Sequence, residues 1–131
     1  MERPEMPYHL ETAGSLSSDN VTEADIHRAF DDPRARGEYA ILTAPDGGFM
    51  QAGGEDDGPF VLEHRDAKTE VQIQAQVELT KEQVRQAFLQ YLRGGSEWHS
   101  AHQWEPLQEK SGCLSVLLVA AAFGYLLATT I

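Results

Sequence analysis

The 131-residue chain has a single cysteine, Cys113. No disulfide can close within it, which fits a reducing compartment. Basic side chains are also scarce: 10 Lys and Arg stand against 21 Asp and Glu, for a net charge of −11. Nucleic-acid binding needs clustered cations to neutralise phosphate, so that class is disfavoured. Docking of a basic patch on anionic lipid is disfavoured for the same reason. A basic protein partner suits such a field, and plain solubility suits it as well. Residues 1–20 contain no apolar run that would form a secretory signal peptide.

Catalytic signatures are missing too. No serine sits in a nucleophile elbow, and Cys113 has no base beside it. The Gly pairs at 47–48 and 53–54 lack the Lys-Ser/Thr of a phosphate loop and the strand-to-helix setting of a dinucleotide site. No catalytic residue, cofactor or metal ligand is therefore assigned, and the chain is not expected to be an enzyme. A rival reading is a small metal-dependent enzyme using His99, His102 and Glu105. It rests only on two histidines three residues apart with carboxylates near them. The carboxylates of Glu55, Asp56 and Asp57 lie in a turn too short for the calcium-loop pattern.

What the chain does have is a charge-free stretch. Residues 113–131, CLSVLLVAAAFGYLLATTI, carry no ionisable group besides Cys113 and Tyr125. A helix of that length spans about 28 Å, close to the hydrocarbon thickness of a bilayer. Such a segment satisfies its own backbone polar groups in lipid. Residues 109–131 are therefore expected to be a transmembrane anchor, with Leu114, Val116, Leu117, Leu118, Val119, Phe123, Tyr125, Leu126 and Leu127 facing lipid. With no signal peptide and Lys110 flanking the segment, the polar part is expected on the cytosolic face of the membrane. The alternative is a soluble homo-oligomer in which this helix packs between protomers.

The remainder reads as one small α+β domain, residues 21–108, preceded by a flexible polar arm, residues 1–20. Thr22 and Asp25 have capping-box spacing, and Ile26, Ala29 and Phe30 fall on one helical face. Strands are expected at 38–44, 49–53, 60–65 and 69–79, separated by Pro-Asp-Gly-Gly and Gly-rich turns. In the last of them Val71, Ile73, Ala75, Val77 and Leu79 alternate with Gln72, Gln74, Gln76 and Glu78. Period-2 alternation gives one buried and one wet face. Thr80 and Gln83 repeat the capping-box spacing before a second helix, which Gly94 and Gly95 stop. The expected fold is a four-stranded antiparallel meander with two helices on one face. The wet sheet face, Gln72, Gln74 and Gln76, and the acidic loop Glu55, Asp56 and Asp57 beside it are candidate partner-binding residues. Trp104 joins them, because tryptophan is enriched at interfaces and at membrane boundaries. Trp98, near the second helix, is expected to seal the core instead.

Several residues form a pattern: Tyr39 with Leu42, Phe49-x-Gln51-x-Gly53-Gly54, Phe60-x-x-Glu63, and Phe88-x-x-Tyr91 followed by Trp98 and Trp104-Glu105. Across residues 38–107 this resembles the small bacterial α+β immunity-type proteins of polymorphic toxin systems and their uncharacterised relatives. The resemblance implies a non-catalytic protein that neutralises a toxin by covering its surface, a basic nuclease being compatible with the acidic charge. The apolar C-terminal segment departs from that pattern, since soluble immunity proteins do not need one.

Overall fold

The structure, a computed structural model, describes residues 7–107. Seven strands form one sheet: β1 (His9–Thr12), β2 (Ser17–Ser18), β3 (Tyr39–Thr43), β4 (Phe49–Gly53), β5 (Val61–Arg65), β6 (Gln72–Ala75) and β7 (Trp104–Pro106). Their order is β2-β1-β3-β4-β5-β6-β7, with every pairing antiparallel. The helices are α1 (Glu23–Asp31), α2 (Pro33–Arg36), α3 (Lys81–Leu92) and α4 (Glu97–Ser100). The fold is thus α+β with an antiparallel sheet, as expected, but with seven strands rather than four.

The helix starts follow local chemistry. Thr22 and Asp25 exchange side-chain-to-backbone bonds at the head of α1, and Thr80 and Gln83 do the same for α3. Each capping box satisfies two amide groups that the first turn leaves without partners. Asp32 caps α2, where Pro33 occupies a first-turn position that needs no N–H. Gly94, at φ 82°, lets the chain turn back after α3.

The register explains which strand residues meet the helices. Leu10, Leu42, Met50, His64 and Ile73 stand side by side across five strands. Thr12, Ala40, Ala52 and Leu62 form the next row on the same face. Against them pack Ile26, Ala29 and Phe30 of α1 and Val84, Ala87, Phe88 and Tyr91 of α3. Phe30 makes edge-on contacts with Phe60 at 6.0 Å and Phe88 at 5.1 Å between ring centroids. Truncating any of these three rings to alanine would cost about 3–5 kcal/mol.

Two expectations are corrected. Residues 9–20 are not an arm: β1 pairs with β3 along its whole length, and Leu10 is wholly buried. Leu16 is buried as well, and the Gly14 amide donates to the Arg36 carbonyl at 2.9 Å. A Cβ at Gly14 would stand 2.5 Å from the Ala35 carbonyl oxygen, so only glycine permits this approach. The second correction concerns residues 69–79. The strand stops at Ala75, and Val71 and Val77 are 51% and 68% exposed. Ile73, Ala75 and Leu79 do face inward, Leu79 through a separate bridge to Phe60. The segment after α3 adds α4 and β7.

Among the described residues no helix is long and apolar enough to cross a membrane. The expected anchor at 109–131 lies outside the described residues.

Candidate functional site

The face of the sheet opposite the helices is left uncovered by the described residues. One row on it crosses six strands: Glu11, Ile41, Gln51, Glu63, Gln74 and Glu105. The adjacent row is His9, Thr43, Phe49, Arg65 and Gln72. Carboxylates therefore stand at both ends and in the middle of the first row; apolar surface comes from Ile41, between Glu11 and Gln51, and from Phe49 in the adjacent row, between Thr43 and Arg65. Ile41, Phe49 and Glu63 are half-buried by their strand neighbours, whereas Glu11 and Glu105 are exposed.

Glu63 is the chemically distinctive member. Its Oε1 accepts from Gln72 Nε2 at 3.0 Å and from Gln51 Nε2 at 3.4 Å. Burial between these neighbours pushes its carboxyl up to about 7, and the Gln72 bond works in the opposite direction. Desolvation wins because the amides offer dipoles, not a compensating charge. Arg65, the nearest strand cation, pairs instead with Glu70 at 3.6 Å.

The expected partner-binding residues separate into groups. Gln72 and Gln74 lie on the open face with Glu63, as their alternation predicts. Gln76 lies past the end of β6, and its side chain donates to the Trp104 carbonyl at 3.2 Å. Glu55, Asp56 and Asp57 are exposed in the β4–β5 connection. That loop precedes Val61, while Gln72 pairs with Arg65 at the other end of β5, so most of a strand length lies between them. Asp57 pairs with Lys81 at 3.1 Å, and the Asp56 carbonyl accepts from Arg36. The loop is thus tied to the helical side.

Trp98 is 7% exposed and closes the core, as expected. Trp104 is half-buried against it, with ring centroids 5.6 Å apart, and donates from Nε1 to the His99 carbonyl at 2.8 Å. The His99 ring stacks on Trp104 at 6.0 Å. Alternation along β7 sends Glu105 to the open face, in register with Gln74, and Trp104 to the helical face, in register with Ala75. His99, His102 and Glu105 are therefore not brought together. Among the described residues no three His, Cys, Asp or Glu side chains are placed to hold a metal ion.

Glu63 escaped sequence reasoning as a site residue, although it belongs to the Phe60-x-x-Glu63 pattern. Its environment comes from Gln51 and Gln72 on two other strands, which spacing within one strand does not report. Comparison with protein-family models, with curated proteins and with solved structures returns no match for this chain.

Proposed function

We propose that the chain is a single-pass, tail-anchored membrane protein whose acidic cytosolic domain binds a basic protein partner on the open sheet face, in the manner of an immunity-type protein. One observation carries the binding surface: the row Glu11, Ile41, Gln51, Glu63, Gln74 and Glu105, which joins carboxylates to apolar and amide groups on the sheet face opposite the helices. Such a surface offers charge complementarity for fast encounter and apolar contacts for residence. A partner cation reaching Glu63 would supply the compensating charge that Gln51 and Gln72 do not. The anchor reading is supported by the charge-free run at residues 113–131.

Two measurements test the two halves separately. After an alkaline wash, the full chain is expected in the membrane pellet, and a chain ending at Gln108 in the supernatant. Recovery of both in the supernatant would replace the anchor with the homo-oligomer reading. For the surface, a photo-crosslinking residue at Ile41 is expected to capture a partner in intact cells. Gln72→Lys with Gln74→Lys should reduce that capture about tenfold, since like charges then meet across the interface. Undiminished capture by the double variant would sink the open-face assignment.

A further inference from the structure

On the helical side, a cavity of about 220 Å³ opens at the end of the sheet. It lies between the β3–β4 hairpin, the β5–β6 turn and the C-terminal end of α3. Four aromatic rings line it, those of Tyr8, His64, Tyr91 and Trp98, together with Asp46 and Asp66. Tyr91 stands nearly perpendicular to Tyr8, His64 and Trp98, with centroids 5.8, 5.2 and 5.8 Å away. The rings therefore present walls in different directions rather than one stack. Gly48 keeps the space open: a Cβ there would come within 3.2 Å of the Tyr91 hydroxyl.

The polar groups of this cavity are left without cationic partners. Asp46 Oδ1 accepts from the Gly48 amide at 2.9 Å, and Asp66 Oδ1 from the Lys68 amide at 3.0 Å. Those turn bonds hold both carboxylates in place, and among the described residues neither makes an ion pair. Tyr91 is only 9% exposed, and its hydroxyl stands beside Gly48 in the cavity lining. Burial, with Asp46 and Asp66 nearby, holds that phenol well above its ordinary range, while burial pulls the His64 imidazole down. The C-terminal end of α3, a 12-residue helix, adds negative potential at the same place.

We propose that this cavity binds an alkylammonium group, up to the size of trimethylammonium. Aromatic faces attract such a cation through their quadrupoles, and the two carboxylates supply the net charge. Anions are repelled by the same carboxylates. The volume lies below the roughly 300 Å³ at which pockets for drug-sized ligands begin, and suits a small cationic group. Guanidinium gains most from a bidentate carboxylate, and each carboxylate here has one oxygen committed to a turn amide. The site stands on the opposite side of the sheet from the proposed partner surface and does not depend on it.

The test uses the full chain in a maltoside detergent, which has no cationic headgroup. Tetramethylammonium, guanidinium and the neutral isostere 3,3-dimethylbutan-1-ol are each titrated, with binding read by calorimetry and by the ring proton shifts of Tyr91 and Trp98. Saturable one-to-one binding of tetramethylammonium is expected, with the isostere about tenfold weaker or more. Asp46→Asn with Asp66→Asn retains both turn acceptors and should weaken the cation by about tenfold, leaving the isostere unchanged. Equal binding of isostere and cation, or unchanged affinity in the Asn variant, would overturn the proposal. So would the absence of saturation by about 50 mM, or tighter binding of guanidinium than of tetramethylammonium.

Discussion

Arg36→Met is expected to lower the unfolding free energy by about 3 kcal/mol, a loss of more than a hundredfold in the folding equilibrium. Arg36 is wholly buried at the end of α2. Its guanidinium donates to the carbonyls of Ala29 at 3.1 Å and Gly37 at 3.2 Å, and to that of Asp56. The same group lies 4.9 Å from the Phe60 ring centroid and 5.7 Å from that of Phe30. One side chain thus joins α1, α2 and the β4–β5 loop, and also faces the aromatic centre of the core. Burial pulls its pKa down, and the carboxylates of Asp57 and Asp56 oppose that. Guanidinium stays protonated regardless, so the buried charge depends on those carbonyls and rings. Methionine fills much of the volume but donates nothing. Lysine keeps the charge but cannot serve three carbonyls in different directions, so Arg36→Lys should recover less than half of the loss.

Urea denaturation of the full chain measures the stability change. Amide exchange should also accelerate in residues 54–59, because Arg36 is the tether between that loop and α2. Against a total stability of about 5–15 kcal/mol for a domain of this size, the variant should be marginal. A loss below about 1 kcal/mol would mean that water reaches the three carbonyls once the guanidinium is gone.

The second large effect is pH-dependent. The Glu63 carboxyl is raised from 4.5 to about 7 in the folded chain. The folded state therefore holds this proton more tightly than the unfolded state does. Below about pH 4.5 both states are protonated and Glu63 costs nothing. Between about pH 4.5 and about pH 7 the unfolded chain ionises this group more than the folded chain does, and stability falls; above about pH 7 the desolvated carboxylate is ionised and the loss is complete. With its edge open to solvent, the full penalty should be about 2 kcal/mol. Glu63→Gln keeps an oxygen that accepts from Gln51 and Gln72 but cannot ionise. It should stabilise the chain by about 2 kcal/mol at pH 8 and leave it unchanged near pH 4, as urea midpoints at the two pH values would show. An equal effect at both pH values would mean that packing, not ionisation, separates the two side chains.

Local chemistry was legible along the chain wherever neighbours in sequence are also neighbours in space. Thr22 with Asp25 and Thr80 with Gln83 announced both long helices, because a capping box closes within four residues. The turn at 45–48 and the strands on either side of it were legible for the same reason. The first strand was not. Within residues 9–20 only Leu10, Ala13 and Leu16 are apolar, and β1 exists because Leu10 meets Leu42 of a strand some thirty positions on. Nor was the fate of Val71 and Val77, whose alternation is that of a longer strand. The chain bends after Ala75, where the Gln76 amide bonds to the Gln103 carbonyl, and Val77 is left outside.

By itself, then, the sequence determined the acid excess, the charge-free run at 113–131, the helix starts and the placing of Gln72 and Gln74 on one strand face. These depend on composition, or on spacing within a single element. Only the tertiary structure decided that Glu63 is desolvated, that Arg36 joins three segments, that Glu105 parts from His99 and His102, and that Tyr8, Asp46, His64, Asp66, Tyr91 and Trp98 share a cavity. Each of those facts is set by register between strands or by packing of helix on sheet. Their energies come from groups that approach only after distant segments have closed on one another.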